Sequence, residues 1–292
     1  MKVCVGITTK NRKEILPQAI NSALKQNYEH LEVFVFDDGS IDGTFDLKKK
    51  YPEVRWERSE ENLGLLEARN KMMRTCQADI FISLDDDAWF LKNDEVSIAV
   101  QYFKENETLG AIGFDILERE SARFREVSRE KPIPTNFFKG AGHALRISAV
   151  QKLGYYIPFP VKYGHEEKDL GIRILDEGYE IWMLPGVHVW HDYTPIERNT
   201  AEQTRGFLIN DLVYKFRRVP LLYLLPVLGR SIYRTSRNKV RPGEIGSRVV
   251  WEFLKLIPSE LKYVKRVKIK TYKYYRSLSK SYLEYLAKHK QE

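Results

Sequence analysis

An α/β fold built on a mostly parallel, twisted sheet is what the sequence predicts, and two observations carry that expectation. Four strand-like apolar runs alternate with three helical patterns before residue 85, and a fourth helix follows, the order that produces parallel strands joined by crossover helices. Acid clusters close two of those runs, Asp37-Asp38 and Asp85-Asp86-Asp87. Such a sheet collects its ligands outside the C-terminal ends of its strands, where both clusters fall.

Residues 2 to 8 alternate and end in Thr8-Thr9, which makes the first strand. Leu16, Ile20, Ala23 and Leu24 recur at helical spacing between Glu14 and Lys25. The apolar run Leu31 to Phe36 follows, closed by Asp37-Asp38-Gly39-Ser40; Asp42-Gly43-Thr44 then opens a short helix that stops before Pro52. Val54 to Glu57 is a short strand, Leu63 to Cys76 a helix, and Ile80 to Leu84 the strand that delivers the three aspartates. Beyond them the pattern predicts a helix over 94–106, a strand over 111–116 and a mobile, lid-like loop over 118–134. Gly140-Ala141-Gly142 leads to Leu145-Arg146-Ile147 and a short helix. A helix over 166–177 and strands over 179–189, broken at Pro185-Gly186, complete a first region that ends near Tyr193.

The chain has 292 residues, 43% hydrophobic and 30% charged, enough for one large α/β domain and an appendage. No run approaches the roughly 20 apolar residues of a spanning helix, and the N-terminus enters a strand without a signal-like apolar stretch; a cytoplasmic protein is expected. Cys4 and Cys76 are too few for a disulfide framework and are expected as buried thiols. Charge is segregated: residues 201 to 292 carry 21 Lys and Arg against 7 Asp and Glu, a net of +14, which leaves −6 on residues 1 to 200. A division into a 1–200 catalytic domain and a 201–292 helical, basic region follows.

Three adjacent carboxylates raise one another's pKa, so their concentration at a strand end points either to a divalent cation or to a solvated acidic cap. Alternation puts Asp85 and Asp87 on one side. Asp38 at the end of its strand can accept from a nucleobase imide or ribose hydroxyl, or cap the next helix. A glycine-rich dinucleotide fingerprint is missing after the first strand, where Ile7-Thr8-Thr9-Lys10-Asn11-Arg12 stands, which disfavours dinucleotide oxidoreductases. In His165-Glu166-Glu167-Lys168-Asp169 the acids suit a helix N-terminus, and one of them can also take a proton from an incoming hydroxyl. One imidazole of His188-Val189-Trp190-His191 can complete a metal shell.

Taken in order, TTKNR, VFDDGSIDGT, NLG, SLDDDA, KGAGHALR, HEEKDLGIR and LPGVHVWH resemble the motifs of the family 2 glycosyltransferases of GT-A fold, over about residues 1 to 195. The resemblance implies an inverting transfer from a nucleotide-diphosphate sugar, UDP- or dTDP-linked, to an acceptor hydroxyl. It implies that Asp38 pairs with the base, that Thr8, Arg12 and Asn62 line the same donor pocket, and that Asp85 and Asp87 are the outer positions of a DxD motif with Asp86 in the variable middle. Asp87 is then the first metal ligand. Glu167 matches the base, one methylene longer than the usual aspartate, with Glu166 as a substitute; Gly142, Glu166 and Trp190 are placed near the donor or acceptor sugar. His191 falls where galactofuranosyl-transferring relatives have a third ligand for Mn2+ or Mg2+, and His188 is expected to be structural. Rhamnosyl-transferring members are also similar.

In the basic region, Val219 to Gly229 is apolar, interrupted by two prolines and too short to cross a bilayer. Val264, Val267, Tyr274 and Leu278 fall near one helical face beside many lysines. That pattern suits an anionic membrane surface or packing on the catalytic domain; nucleic acid is disfavoured because no binding motif accompanies the charge. A glycan or lipid-linked acceptor on the inner face of the cell membrane agrees with the resemblance. A sugar nucleotidyltransferase should carry a glycine-rich, arginine-containing loop after the first strand, which is absent, and a noncatalytic nucleotide-binding or scaffolding protein would need no base.

Overall fold

The computed structural model describes residues 1–118, 131–162, 164–192, 200–237 and 244–290. The first half alternates as predicted: β1 (Val3–Thr9), α1 (Leu16–Leu24), β2 (Leu31–Asp38), a 3-10 turn at Thr44–Lys49, β3 (Arg55–Ser59), α2 (Leu65–Thr75) and β4 (Ile80–Asp85). A three-residue strand, β5 (Ala88–Phe90), follows the aspartates. Then come α3 (Glu95–Glu105), β6 (Leu109–Leu117), β7 (Ile133–Pro134), β8 (Gly142–Arg146), α4 (Ile147–Lys152), α5 (Glu166–Asp176) and β9 (Glu180–His191). Among the described residues, four α-helices follow: α6 (Thr200–Arg218), α7 (Leu221–Ser236), α8 (Glu244–Glu260) and α9 (Ile269–Lys290).

The strands form one sheet in the order β3-β2-β1-β4-β8-β6-β9-β5, with β7 beside β9. Strands β1 to β4 run parallel, β8 is reversed between β4 and β6, and β6 and β9 run parallel again. Side chains alternate across this sheet. Val3, Val5 and Ile7 of β1 face a core closed by Leu16 and Ile20 of α1 and Val96 and Phe103 of α3. Cys4, Phe34 and Phe81 face the opposite core, closed by Met72 of α2 and Leu170 and Ile174 of α5. Both cysteines are free and buried, as expected.

Three expectations need correction. Pro185-Gly186 does not break the last strand: β9 stays paired with β6, whose Phe114 faces Leu184 and whose Asp115 faces His188, so three residues bulge out. Gly186, at φ 79°, supplies the left-handed turn this requires. The run from Val219 is helical despite its prolines: Pro220 precedes α7 as its N-cap residue, where it breaks no helical hydrogen bond, and the helix continues through Pro226. The helix near 264–278 starts only at Ile269; among its described side chains the buried apolar ones are Tyr272 and Leu278, with Val267 just before it, while Tyr274 is exposed. Those buried residues pack on α5 and α6, with Ile172 of α5 and Tyr214 of α6. Most of the predicted 118–134 loop, like Tyr193, lies outside the described residues; its end, Ile133–Pro134, pairs with Met183 and Trp182.

Candidate active site

The parallel strands bring their C-terminal ends to one edge, with Thr8 of β1 in register with Asp85 of β4, and Thr9 with Asp37 of β2. β9 delivers His191 to the same edge through β5, since Ala88 pairs with His191. Asp85, Asp87 and His191 each offer an atom within 4.8 Å of the others. Asp87 and His191 are buried, and His191 Nε2 stands 3.2 Å from Asp87 Oδ1. Burial lowers the basicity of His191, but the hydrogen bond and charge of Asp87, the charge of Asp85 and a hydrogen bond with Glu118 outweigh it and leave the imidazole raised. Two carboxylates and an imidazole at this spacing fit a divalent cation of the Mn2+ type and accept Mg2+ less readily, because imidazole is the softer ligand. Asp86 points elsewhere, accepting from the Thr9 hydroxyl at 2.8 Å with the Arg12 guanidinium 4.0 Å away. Burial, then Asp87, pushes its carboxyl up to about 7.

Arg69 ties this cluster to the paired glutamates. It projects from the buried side of α2 and is 1% exposed. Its Nη2 donates to Asp85 Oδ1 at 2.6 Å and to the Gly140 carbonyl at 3.1 Å, and its Nη1 lies 3.7 Å from Glu167 Oε1. The backbone at Gly140 is so close to Glu167 that a Cβ there would stand 2.4 Å from Glu167 Oε1. Burial pushes Glu167 up to about 8, reinforced by Glu166 and opposed by Arg69; Glu166 is raised as well, again chiefly by burial. Both lie in the first turn of α5, whose N-cap His165 has φ 77° and is held by Asp211 at 3.1 Å and by the Phe207 ring. A non-glycine residue in the left-handed region stores strain, which concentrates at working sites.

Asp38 uses both oxygens to hold backbone N–H groups, of Leu63 at 2.7 Å and Gly64 at 2.9 Å. Each oxygen keeps acceptor capacity, so the residue can still take an imide N–H. It borders a half-open cavity of about 440 Å3 whose other walls include Asn62, Leu63, Phe159, Val161 and Glu166. Asp38, Asn62 and Glu166 therefore share one hollow, which the Asp85-Asp87-His191 cluster does not line.

Two residues expected near the sugar, Gly142 and Trp190, are held by packing contacts. Gly142 in β8 is small because a Cβ would stand 3.0 Å from Ile116 and 3.1 Å from Val189. Trp190 alternates away from His191 and pairs with Trp89 of β5, ring centroids 6.2 Å apart. His188 stands 3.5 Å from Asp115, as suits a structural histidine. Sequence reasoning missed Arg69, Gly140 and Glu118, whose carboxylate lies 3.3 Å from His191 Nδ1. Arg69 carried a signal: it falls on the apolar stripe of α2 with Ala68, Met72 and Met73, where an arginine needs a buried anion.

Solved structures share this arrangement of sheet and helices. S. aureus TarS 1-349 in complex with UDP-GlcNAc matches with a TM-score of 0.66 over 97% of this chain and 92% of that one, at 16% identity. The mannosyltransferase PcManGT from Pyrobaculum calidifontis, in complex with GDP-Man and Mn2+, matches with a TM-score of 0.60 over 96% and 84%, at 17% identity. The fold is GT-A. In sequence, the profile of glycosyl transferase family 2 matches residues 4–153, just over half of the chain, and the chain belongs to that family. Among relatives, the Bacillus subtilis protein TuaG, named as a glycosyltransferase of teichuronic acid biosynthesis, is 33% identical over 109 residues, covering 35% of this chain and 42% of TuaG. The chain spans between 16% and 56% of the length of the first curated relatives it matches.

Proposed function

We propose that this glycosyltransferase inverts the donor's anomeric configuration, moving a hexosyl or deoxyhexosyl group from a UDP- or dTDP-linked donor to a hydroxyl of a growing polysaccharide or lipid-linked glycan. Residues 1–200 carry the chemistry in this reading, and 201–292 place the chain against its acceptor. The observation that carries it is the Arg69 bridge: one buried guanidinium contacts both Asp85 of the cation-type cluster and Glu167 of the paired acids. The departure of a diphosphate and the removal of a proton are thereby held in one frame.

Glu167 takes the acceptor proton as the acceptor oxygen attacks the anomeric carbon and the bond to the donor's diphosphate oxygen breaks. A carboxyl raised toward neutral pH is a stronger base than an ordinary one. Arg12 and Arg69 stand beside the acids at the strand edge and offset charge that grows on the leaving diphosphate. Asp85, Asp87 and His191 would hold a Mn2+ or Mg2+ ion, whose charge serves the same leaving group. Asp38, Thr8 and Asn62 orient the nucleoside.

The test is a panel of nucleotide sugars with and without Mn2+, read by thermal shift and by release of nucleoside diphosphate. Stabilisation by a UDP- or dTDP-sugar that needs Mn2+ is expected. Glu167→Gln should keep that stabilisation and lose about a hundredfold or more in transfer. Near-normal transfer by Glu167→Gln, with loss in Glu166→Gln, would move the base to Glu166, which faces the cavity.

A further inference from the structure

We propose that α7 and α8, rather than the lysine-rich α9, dock this chain on an anionic lipid surface. Among the described side chains of α9, Tyr272 and Leu278 are buried against α5 and α6, and Ile269 and Tyr274 are about half exposed. The most exposed run of large apolar side chains lies on α7. On α7, Leu221, Leu222 and Leu225 are 72%, 68% and 80% exposed, and Tyr233 is exposed further along. At 100° per residue these four fall within one sector of the helix, and Arg230, Arg234 and Arg237, all exposed, continue that sector on one flank. α8 repeats the arrangement with Trp251 and Leu254 exposed beside Arg248 and Lys255, whose ammonium lies 5.3 Å from the Trp251 ring. The opposite sides of both helices pack on α6, through Leu228 and Ile232 of α7 and Val249 and Phe253 of α8 against Ile209 and Val213.

The charge around these stripes selects the occupant. Between residues 221 and 255 the sequence has seven Lys and Arg and two acids, Glu244 and Glu252. Glu252 is engaged by Arg205 and Arg248, and α7 itself has no acid. Leucines flanked by arginines suit a bilayer that takes the apolar side chains and offers anionic headgroups to the cations. A second copy of the chain fits worse, because a two-fold contact would set the arginines of one α7 against those of the other. No helix among the described residues is long and apolar enough to cross a membrane, so the contact is one that lies on the surface.

Co-sedimentation of the full chain with phosphatidylcholine vesicles, with and without phosphatidylglycerol, tests this. The chain should pellet with the phosphatidylglycerol vesicles, stay in solution with phosphatidylcholine alone and be released progressively by salt. Leu222→Ser with Leu225→Ser should weaken partitioning by about a hundredfold or more, from two leucine side chains returned to water. Arg230→Gln with Arg234→Gln should weaken it by about thirtyfold. All four positions are exposed, and an unchanged circular dichroism melt checks the fold of each variant. The proposal is overturned if the chain ignores anionic vesicles, if it binds neutral ones equally, or if both double variants bind like the parent. It is equally overturned if the parent is a dimer in solution that the leucine variant turns into a monomer. Release of nucleoside diphosphate in solution should be unchanged in both variants, so a failure here leaves the transferase reading standing.

Discussion

Glu167 shows at the scale of one residue how burial becomes chemistry. Its proton is held more tightly in the folded chain than in an unfolded one, where the carboxyl returns to its ordinary 4.5. Folding is therefore favoured at low pH, and that advantage is lost as pH rises through about 8. In metal-free protein the melting temperature should fall over this window, and Glu167→Gln, which cannot ionise, should flatten the fall and melt higher than the parent at pH 8. The same raised carboxyl predicts a transfer rate that climbs toward a plateau above that pH. Gly140→Ala should push the Glu167 carboxylate from its place, lowering kcat by about a hundredfold while sparing donor-induced thermal shift. Asp85 and Asp87 could be singled out from the sequence because they close a periodic segment, whereas Glu167 and His191 were separated from their neighbours only by the family resemblance. Gly140, Arg69 and Glu118 were not placed, because their partners lie across elements and spacing along the chain does not record contact through space.

At the scale of elements, β9 decides whether the cluster forms. Its bulge at Pro185-Gly186-Val187 resets the register, so that β9 next pairs with β5 and His191 comes beside the end of β4. Gly186→Ala places a side chain in the left-handed region and should cost about 1–2 kcal/mol in chemical denaturation. It should also raise the Mn2+ concentration needed for thermal stabilisation, a joint effect that a purely structural glycine would not produce. The alternating first half of the sheet could be read from the sequence, since periods of 2 and 3.6 are strong signals over such lengths. β5 could not, because three residues show no alternation, and neither could the reversed direction of β8, because strand direction leaves no periodic trace. Amphipathicity revealed that the last helix had a partner. It did not say that the partner was α5 rather than a membrane.

The whole molecule is divided in charge but interlocked in structure. Asp169, two residues beyond Glu167, is buried and bound by Arg173 at 2.9 Å and by Arg218 of α6 at 2.6 Å. Arg217 beside it is equally buried, bonded to Glu260 and held between the Phe159 and Tyr263 rings. Removing one partner of such a buried pair leaves an uncompensated charge, so Arg218→Ala should cost about 3–5 kcal/mol in urea denaturation. A fragment ending at residue 200 should pellet on expression instead of yielding a small active enzyme. Arg218 also spans the distance between where the protein rests and what it does. A tilt of the carboxy-terminal helices would be relayed, like the turn of one cog by another, into the pitch of the helix that bears the proton acceptor.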